Sequence, residues 1–334
     1  MRVALAVFAL LLIGACAGKE IRDATMERGQ WDLATGSSIA YLHIPTAESA
    51  AHLSPIVVLH GGPGAYVVGL REATEVLSRL SESGRDVYFY DQVGGGLSER
   101  LADVTEYTVN RHVADLEAIR AVIGAERMVL LGSSWGATLA AHYTARYPNR
   151  VAGLVLSGPG VIHPGDWPDG YGRVEERMTQ REQERFQEEL EWPRLTEAIE
   201  ASAVDPNRAA VILPDQEAGA FFDRIATSFY MPHMGCKESG LRAVVHGYGF
   251  WANRMTSRDL NASSDPKPAL ARLEIPTLVL RGECEYMHPA VAEQYHAVFR
   301  NSQLINVAGA GHMIYWEQPQ VFLEAVRSFL RSVP

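Results

Sequence analysis

Residues 128–134 read MVLLGSS and residues 135–146 read WGATLAAHYTAR. A short apolar run enters a glycine-framed pair of serines and leaves as a segment with helical spacing. A strand that turns into a helix within so few residues belongs to a strand–helix unit, and such units build parallel sheets because only a crossover can return the chain to the same end. The beat recurs on both sides of this segment. PIVVL runs into HGGPG at 60–64, a helical pattern covers 66–84, and VYFYD at 87–91 leads into QVGGGLS. Residues 109–123 show helical spacing with Val113, Leu116, Ile119 and Val122 on one side. VAGLVLSG is the next strand. After a long gap come IPTLVLRG at 275–282, a helix at about 289–299, the strand QLINVAG and a final helix at 318–331. Upstream, GSSIAYLHIP reads as a strand after a turn. The expectation is an α/β fold with a mainly parallel sheet covered by helices on both faces, its core spanning residues 21–160 and 269–334.

The gap has a different texture. Residues 161–268 are rich in Trp, Glu, Arg and Gln, and segments such as VEERMTQREQERFQEELEW replace the strand–helix alternation. This predicts a helical cap inserted into the core. The chain's formal net charge is −10 with no block of consecutive basic residues, which argues against a nucleic-acid surface.

The first residues, MRVALAVFALLLIGACAGKE, are too short an apolar stretch for a comfortable membrane span and have the build of an export signal. Ile13-Gly14-Ala15-Cys16 resembles a bacterial lipobox, which implies removal of residues 1–15 and a lipid on Cys16. Ala17 after that cysteine fits sorting to the outer membrane, so the expected location is the periplasmic side of the cell envelope, with plain secretion as the alternative. Cys236 and Cys284 then remain. An oxidising compartment permits a bridge between them, and cysteine is equally common as a small buried hydrophobe.

Gly132-Ser133-Ser134-Trp135-Gly136 fits G-x-S-x-G with Ser134 at its centre. Centring on Ser133 would put Leu131 and Trp135 where small residues are needed, so Ser134 is the candidate nucleophile. A serine hydroxyl needs a base to take its proton. His312, in a glycine-rich loop between the last strand and the last helix, is the candidate; His60, His142, His288 and His296 read as structural. The base in turn needs a carboxylate. RGECEYMHP after the strand at 275–282 offers Glu283 and Glu285, and chain order admits either. The backbone N–H groups of Trp135 and of Gly62, in the loop after the first central strand, are candidate oxyanion donors. Acyl transfer of this kind requires neither metal nor cofactor, and no H-E-x-x-H or clustered Cys/His set is present.

HGGPG at 60–64, DQVGGGLS at 91–98, GSSWG at 132–136 and GAGH at 309–312 together resemble the signatures of the proline iminopeptidase family of α/β-hydrolases, in the same order. The resemblance covers about residues 35–160 and 270–334. It implies an α/β-hydrolase fold with an inserted helical cap and serine hydrolysis through an acyl-enzyme. It also implies an acid at the last position of G-x-x-D, here Glu285 of Gly282-Glu283-Cys284-Glu285. The implied substrate is a small peptide losing N-terminal proline or another small residue; the alternative is an ester, lactone or amide without a charged amine. Two departures bear on that choice. Val93 stands where the family's loop carries arginine, and the family's amine-binding glutamates, in W-x-x-W-E and R-I-E-N-H-Y-F stretches, have no match. The nearest segment, Arg242-Ala243-Val244-Val245-His246-Gly247-Tyr248, has valines instead of a carboxylate, leaving Glu217 or Glu238 as substitutes. Phe221, Phe222, Phe229, Tyr230, Tyr248, Phe250 and Trp251 give the cap ample apolar surface.

Overall fold

The computed structural model describes residues 26–46, 53–236 and 244–334. The export signal with Cys16, and Glu238 with the start of the 242–248 segment, lie outside the described residues. Eight strands form one sheet: β1 (Glu27–Asp32), β2 (Ser38–Ile44), β3 (Ile56–Leu59), β4 (Val87–Tyr90), β5 (Met128–Ser134), β6 (Val151–Pro159), β7 (Thr277–Gly282) and β8 (Ser302–Val307). Their order is β1-β2-β4-β3-β5-β6-β7-β8. From β4 onward every neighbouring pair is parallel, whereas β1, β2 and β4 pair antiparallel at one edge.

Alternate residues of the central strands serve opposite faces, as the two-residue repeat of a strand requires. Met128, Leu130, Leu154 and Leu156 pack on one side, and Val129, Leu131, Val155 and Leu278 on the other. Both faces are covered, so these strands are apolar throughout instead of alternating with polar residues. Helix α1 (Arg71–Leu77) follows β3, α2 (Val109–Val122) follows β4, and α3 (Trp135–Arg146) follows β5.

Between β6 and β7 the described residues form helices α4 (Gln180–Leu190), α5 (Pro193–Ala201), α6 (Pro206–Ile212), α7 (Asp215–Ile225), α8 (Met231–Met234), α9 (Phe250–Ala262) and α10 (Lys267–Leu270), and no strand. A π-helical turn, Ala226–Tyr230, links α7 to α8. Helices α11 (Pro289–Val298), α12 (Ile314–Glu317) and α13 (Pro319–Leu330) complete the core. Among the described residues no helix is long and apolar enough to cross a membrane.

Four details differ from the sequence reading. Strand β1 has no apolar alternation in its sequence ERGQWD and five of its six residues are exposed; it exists by pairing with β2. Val122 is 51% exposed, because α2 ends there and its side chain falls beyond the buried stripe of Val113, Leu116 and Ile119. The pattern at 66–84 yields helix only from Arg71, since the stretch before it is held as a loop by the site described below. The helical pattern from Val174 breaks at Met178, after which Thr179 and Glu182 make a reciprocal capping box that starts α4.

Candidate active site

Strand β5 hands its chain to α3 at Ser134, whose backbone is at φ 54°, ψ −123°. It is the one non-glycine residue with positive φ among the described residues. Such a conformation costs about 1–3 kcal/mol and persists only where the surroundings enforce it. Here glycines enforce it by what they leave out. A Cβ on Gly132 would lie 2.4 Å from the carbonyl oxygen of Gly136, and one on Gly136 would lie 2.0 Å from that of Leu59. The Gly160 N–H donates to the Ser134 carbonyl (3.0 Å) and fixes the turn from the end of β6.

The HGGPG loop passes beside this elbow. A Cβ on Gly61 would stand 3.0 Å from Cβ of Ser134, so only glycine lets the loop come so near. Asp91, fully buried, holds the residues that follow: one carboxylate oxygen accepts the N–H groups of Val67 (2.6 Å) and Val68 (2.9 Å), the other that of Leu97 (2.9 Å). This is the loop that delays α1. His60 has no freedom to act as a base. Its Nε2 accepts the Gln92 N–H (2.8 Å), its Nδ1–H donates to the Gly61 carbonyl (2.8 Å), and burial lowers its pKa despite the nearby Asp91. Gln92 then accepts from the Trp135 indole (2.8 Å), tying the elbow to the same loop. Gly62, at φ 116°, lines the cavity above Ser134, and Trp135 is the first residue of α3, where backbone N–H groups lack partners within the helix.

From the loops after β7 and β8, at the same end of the parallel strands, come the other two groups. His312 sits between β8 and α12, and its Nδ1 lies 2.9 and 3.0 Å from the two carboxylate oxygens of Glu285, in the turn after β7. Both side chains are almost wholly buried. Burial alone would raise the Glu285 pKa; the imidazole beside it and the N–H groups of Met287 and Tyr286 outweigh that and hold the carboxyl below its ordinary value. The Nε2 of His312 is buried with no hydrogen-bond partner among the described residues, and His312 and Ser134 line the same cavity. Glu283 does not approach the histidine: its carboxylate accepts from Gly309 N–H (3.0 Å) in an exposed position. His142, His288 and His296 are engaged elsewhere, with the Ile162 carbonyl, the Ala290 N–H and the Ser302 hydroxyl respectively.

Sequence reading missed one spacer. Gly158 (φ 49°), next to last in β6, lies beside this pair, and a Cβ there would lie 3.0 Å from a Glu285 oxygen and 2.8 Å from the His312 carbonyl. Its contacts join residues more than a hundred positions apart, which no local pattern displays.

The cavity, about 600 Å³, is floored by the elbow and the HGGPG loop and roofed by the helical insertion. Of the insertion's aromatic residues, Tyr171, Phe222, Tyr230 and Tyr248 line it, whereas Phe221, Phe229, Phe250 and Trp251 pack within the hydrophobic core. Glu217 is half-exposed and paired with Arg194 at 2.6 Å, away from the cavity. Ala226 and Tyr230 line the roof from Arg224-Ile225-Ala226-Thr227-Ser228-Phe229-Tyr230, a segment with a closer likeness to R-I-E-N-H-Y-F than residues 242–248, in which Ala226 stands where that pattern has glutamate. One carboxylate lines the cavity among the described residues, that of Glu175. Tyr230 donates to one of its oxygens (3.1 Å), and Arg173 lies 3.6 Å from the other. Cys236 and Cys284 form a disulfide with Cα atoms 5.2 Å apart, joining the insertion to the turn that carries Glu285.

Comparison with known proteins agrees with this architecture. Residues 54–319 match the family described as the alpha/beta hydrolase fold. A proline iminopeptidase of Saccharolobus solfataricus is 27% identical over 292 residues, covering 83% of this chain and 85% of that protein. Among solved structures, a thermophilic esterase from Thermogutta terrifontis superposes with a TM-score of 0.63 at 20% identity, covering 91% of this chain and 98% of its own. A proline iminopeptidase from Mycobacterium smegmatis superposes at 0.58 with 21% identity, over 91% and 98% of the two chains. At such identities the structural likeness speaks for the fold alone, but the match over residues 54–319 reaches further. The chain belongs to the α/β-hydrolase family.

Proposed function

We propose that this hydrolase works through an acyl-enzyme on Ser134. The observation that carries the reading is the strained elbow presenting Ser134 to the same cavity as His312, with Glu285 bound to the opposite nitrogen of that ring. Glu285 fixes the Nδ1–H tautomer, which leaves Nε2 free to take the serine proton. The serine oxygen then bonds to the substrate carbonyl carbon, and the N–H groups of Gly62 and Trp135 receive the charge on the carbonyl oxygen, each such donor being worth about 3 kcal/mol in the transition state. The imidazolium returns its proton to the leaving group. Water, deprotonated by the same nitrogen, releases the acyl group and restores the serine.

The substrates are small peptides or amides with a free N-terminal amine, proline among the candidate residues. Curated relatives named proline iminopeptidase support this, as does Glu175, the acidic residue among those lining a mainly apolar cavity, whose carboxylate would pair an ammonium group. An unpaired ammonium there would be costly. Ala226 and the apolar lining favour the second reading, an esterase, lactonase or amide hydrolase for uncharged acyl groups. Parallel assays of L-proline β-naphthylamide, its N-acetyl form and small acyl esters decide between them. The first reading expects the free-amine amide to be preferred, and Glu175→Gln to lower kcat/KM for it by roughly 10- to 100-fold while sparing the acetylated form. Equal or better turnover of blocked amides and esters would leave the second reading.

We also infer that the chain is exported and anchored by lipid on Cys16, facing the periplasm. The bridge between the two remaining cysteines supports an oxidising compartment. Intact-mass analysis of membrane-extracted protein should show residues 1–15 missing and acyl mass added; a full-length, unmodified chain in the cytosol would end that proposal.

A further inference from the structure

Residues 234–236 belong to the helical insertion, yet their bonds run to the two loops that carry His312 and Glu285. The Met234 carbonyl accepts the His312 N–H at 2.8 Å. The Gly235 carbonyl accepts from Arg177 (2.9 Å), whose other nitrogen donates to the Cys284 carbonyl (2.7 Å), one residue before the acid. Cys236 is bridged to Cys284, and its N–H donates to one oxygen of Glu317 (2.8 Å). The other oxygen of Glu317 accepts the Gly311 N–H (2.6 Å), one residue before the histidine. The fit leaves no slack: a Cβ on Gly311 would stand 2.5 Å from the Met234 carbonyl oxygen. The two loops also meet directly, through Cys284 N–H and the Ala310 carbonyl at 2.8 Å.

A bridge that served only to shorten the unfolded chain could join the insertion to the core anywhere along their contact. This one joins it next to Glu285, while Glu317 joins the same three residues next to His312. We propose that the Cys236–Cys284 bridge and Glu317 are a latch that positions the His312–Glu285 pair, so that opening the bridge lowers turnover. The inference rests on the acyl-enzyme reading of Ser134. A dithiol opens the latch by thiolate attack on one sulfur, giving a mixed disulfide; its second thiol displaces the protein sulfur. The protein gains two thiols and the reagent leaves as its cyclic disulfide. Neither Glu317 nor the bridge touches the reacting atoms. Both are positioning groups.

The test uses the full chain with its bridge intact, treated with dithiothreitol under native conditions and followed by thiol titration, circular dichroism and kinetics on an amide or ester that the enzyme turns over. As two thiols appear, kcat should fall roughly 10- to 100-fold with the fold retained, because misplacing a catalytic group by about an ångström has that effect. KM should change by less than about threefold, the acid limb of kcat/KM should move, and reoxidation should restore all three. Folded, reduced protein with kcat within about twofold of the oxidised form and an unmoved pH profile would overturn the proposal. Should reduction unfold the chain, Glu317→Ala with the bridge intact decides. A loss of kcat larger than that of Glu317→Gln, which keeps one acceptor, supports the latch; unchanged kcat overturns it. Ser134→Ala separates this from failure of the underlying reading. Activity surviving in that variant removes the acyl-enzyme, whereas an inactive Ser134→Ala beside a fully active reduced protein removes only the latch.

Discussion

Adjacent serines at 133 and 134 differ in backbone and burial. Ser133 is in strand register with Ser157 and is buried, whereas Ser134, the last residue of β5, pairs with Pro159 across a register shift, takes a positive φ and is the more exposed of the two at the cavity that both line. Ser134→Ala should lower kcat/KM by at least about a thousandfold, since it removes the proposed nucleophile and leaves Ser133 paired within the sheet, with the unfolding midpoint little changed. Ser133→Ala should cost less than about fivefold. Single-turnover assays on both variants check this; comparable rates for wild type and Ser134→Ala would remove the assignment. The choice between Glu283 and Glu285 is also made at this scale. Family spacing favoured Glu285, and the structure sets Glu285 against His312 while Glu283 braces the Gly309 turn.

At the scale of elements, what could be read along the chain was what the chain does locally. The elbow was legible because Gly132 is demanded by backbone four residues on and Gly136 by the neighbouring strand β3, so the two stand at fixed spacing around Ser134. The parallel strands were legible because burial on both faces writes them as unbroken apolar runs. Strand β1 was not, since an edge strand solvated on its outer side carries no such run. Glu175, Arg177 and Glu317 were equally invisible. Each matters through a partner that folding brings from elsewhere: Tyr230 at 55 positions from Glu175, Cys284 at 107 from Arg177, and Cys236 at 81 from Glu317. The R-I-A-T-S-F-Y segment is hard to see in the sequence for a different reason. It has Ala226 where the pattern has glutamate, and so lacks the residue by which the pattern is noticed.

For the whole molecule, buried imidazoles contribute to the response to acid. His112 packs edge-on against Trp135 beneath the elbow, bonds to the Thr256 hydroxyl at 3.0 Å, and has its pKa lowered by burial, with smaller contributions from His60 and Arg111, to about 3. The unfolded chain takes that proton near pH 6.5, so the stability His112 contributes is complete above about pH 6.5 and is lost as pH falls from there toward the folded value. His60 and His142, also lowered by burial, act in the same direction. Urea midpoints should therefore decline between about pH 6.5 and 4, before most carboxylates titrate, and His112→Gln should flatten that decline by on the order of 2–3 kcal/mol. An identical slope in the variant would exclude His112 as the cause. The bridge at Cys236 and Cys284 has a practical consequence for anyone making this protein. A chain synthesised in a reducing cytoplasm is delivered with both sulfurs as thiols, two hydrogens heavier than the bridged form. Under the latch proposed above, batches that differ in how far this bridge has closed would report different specific activities. Thiol content has to be measured before any rate is compared.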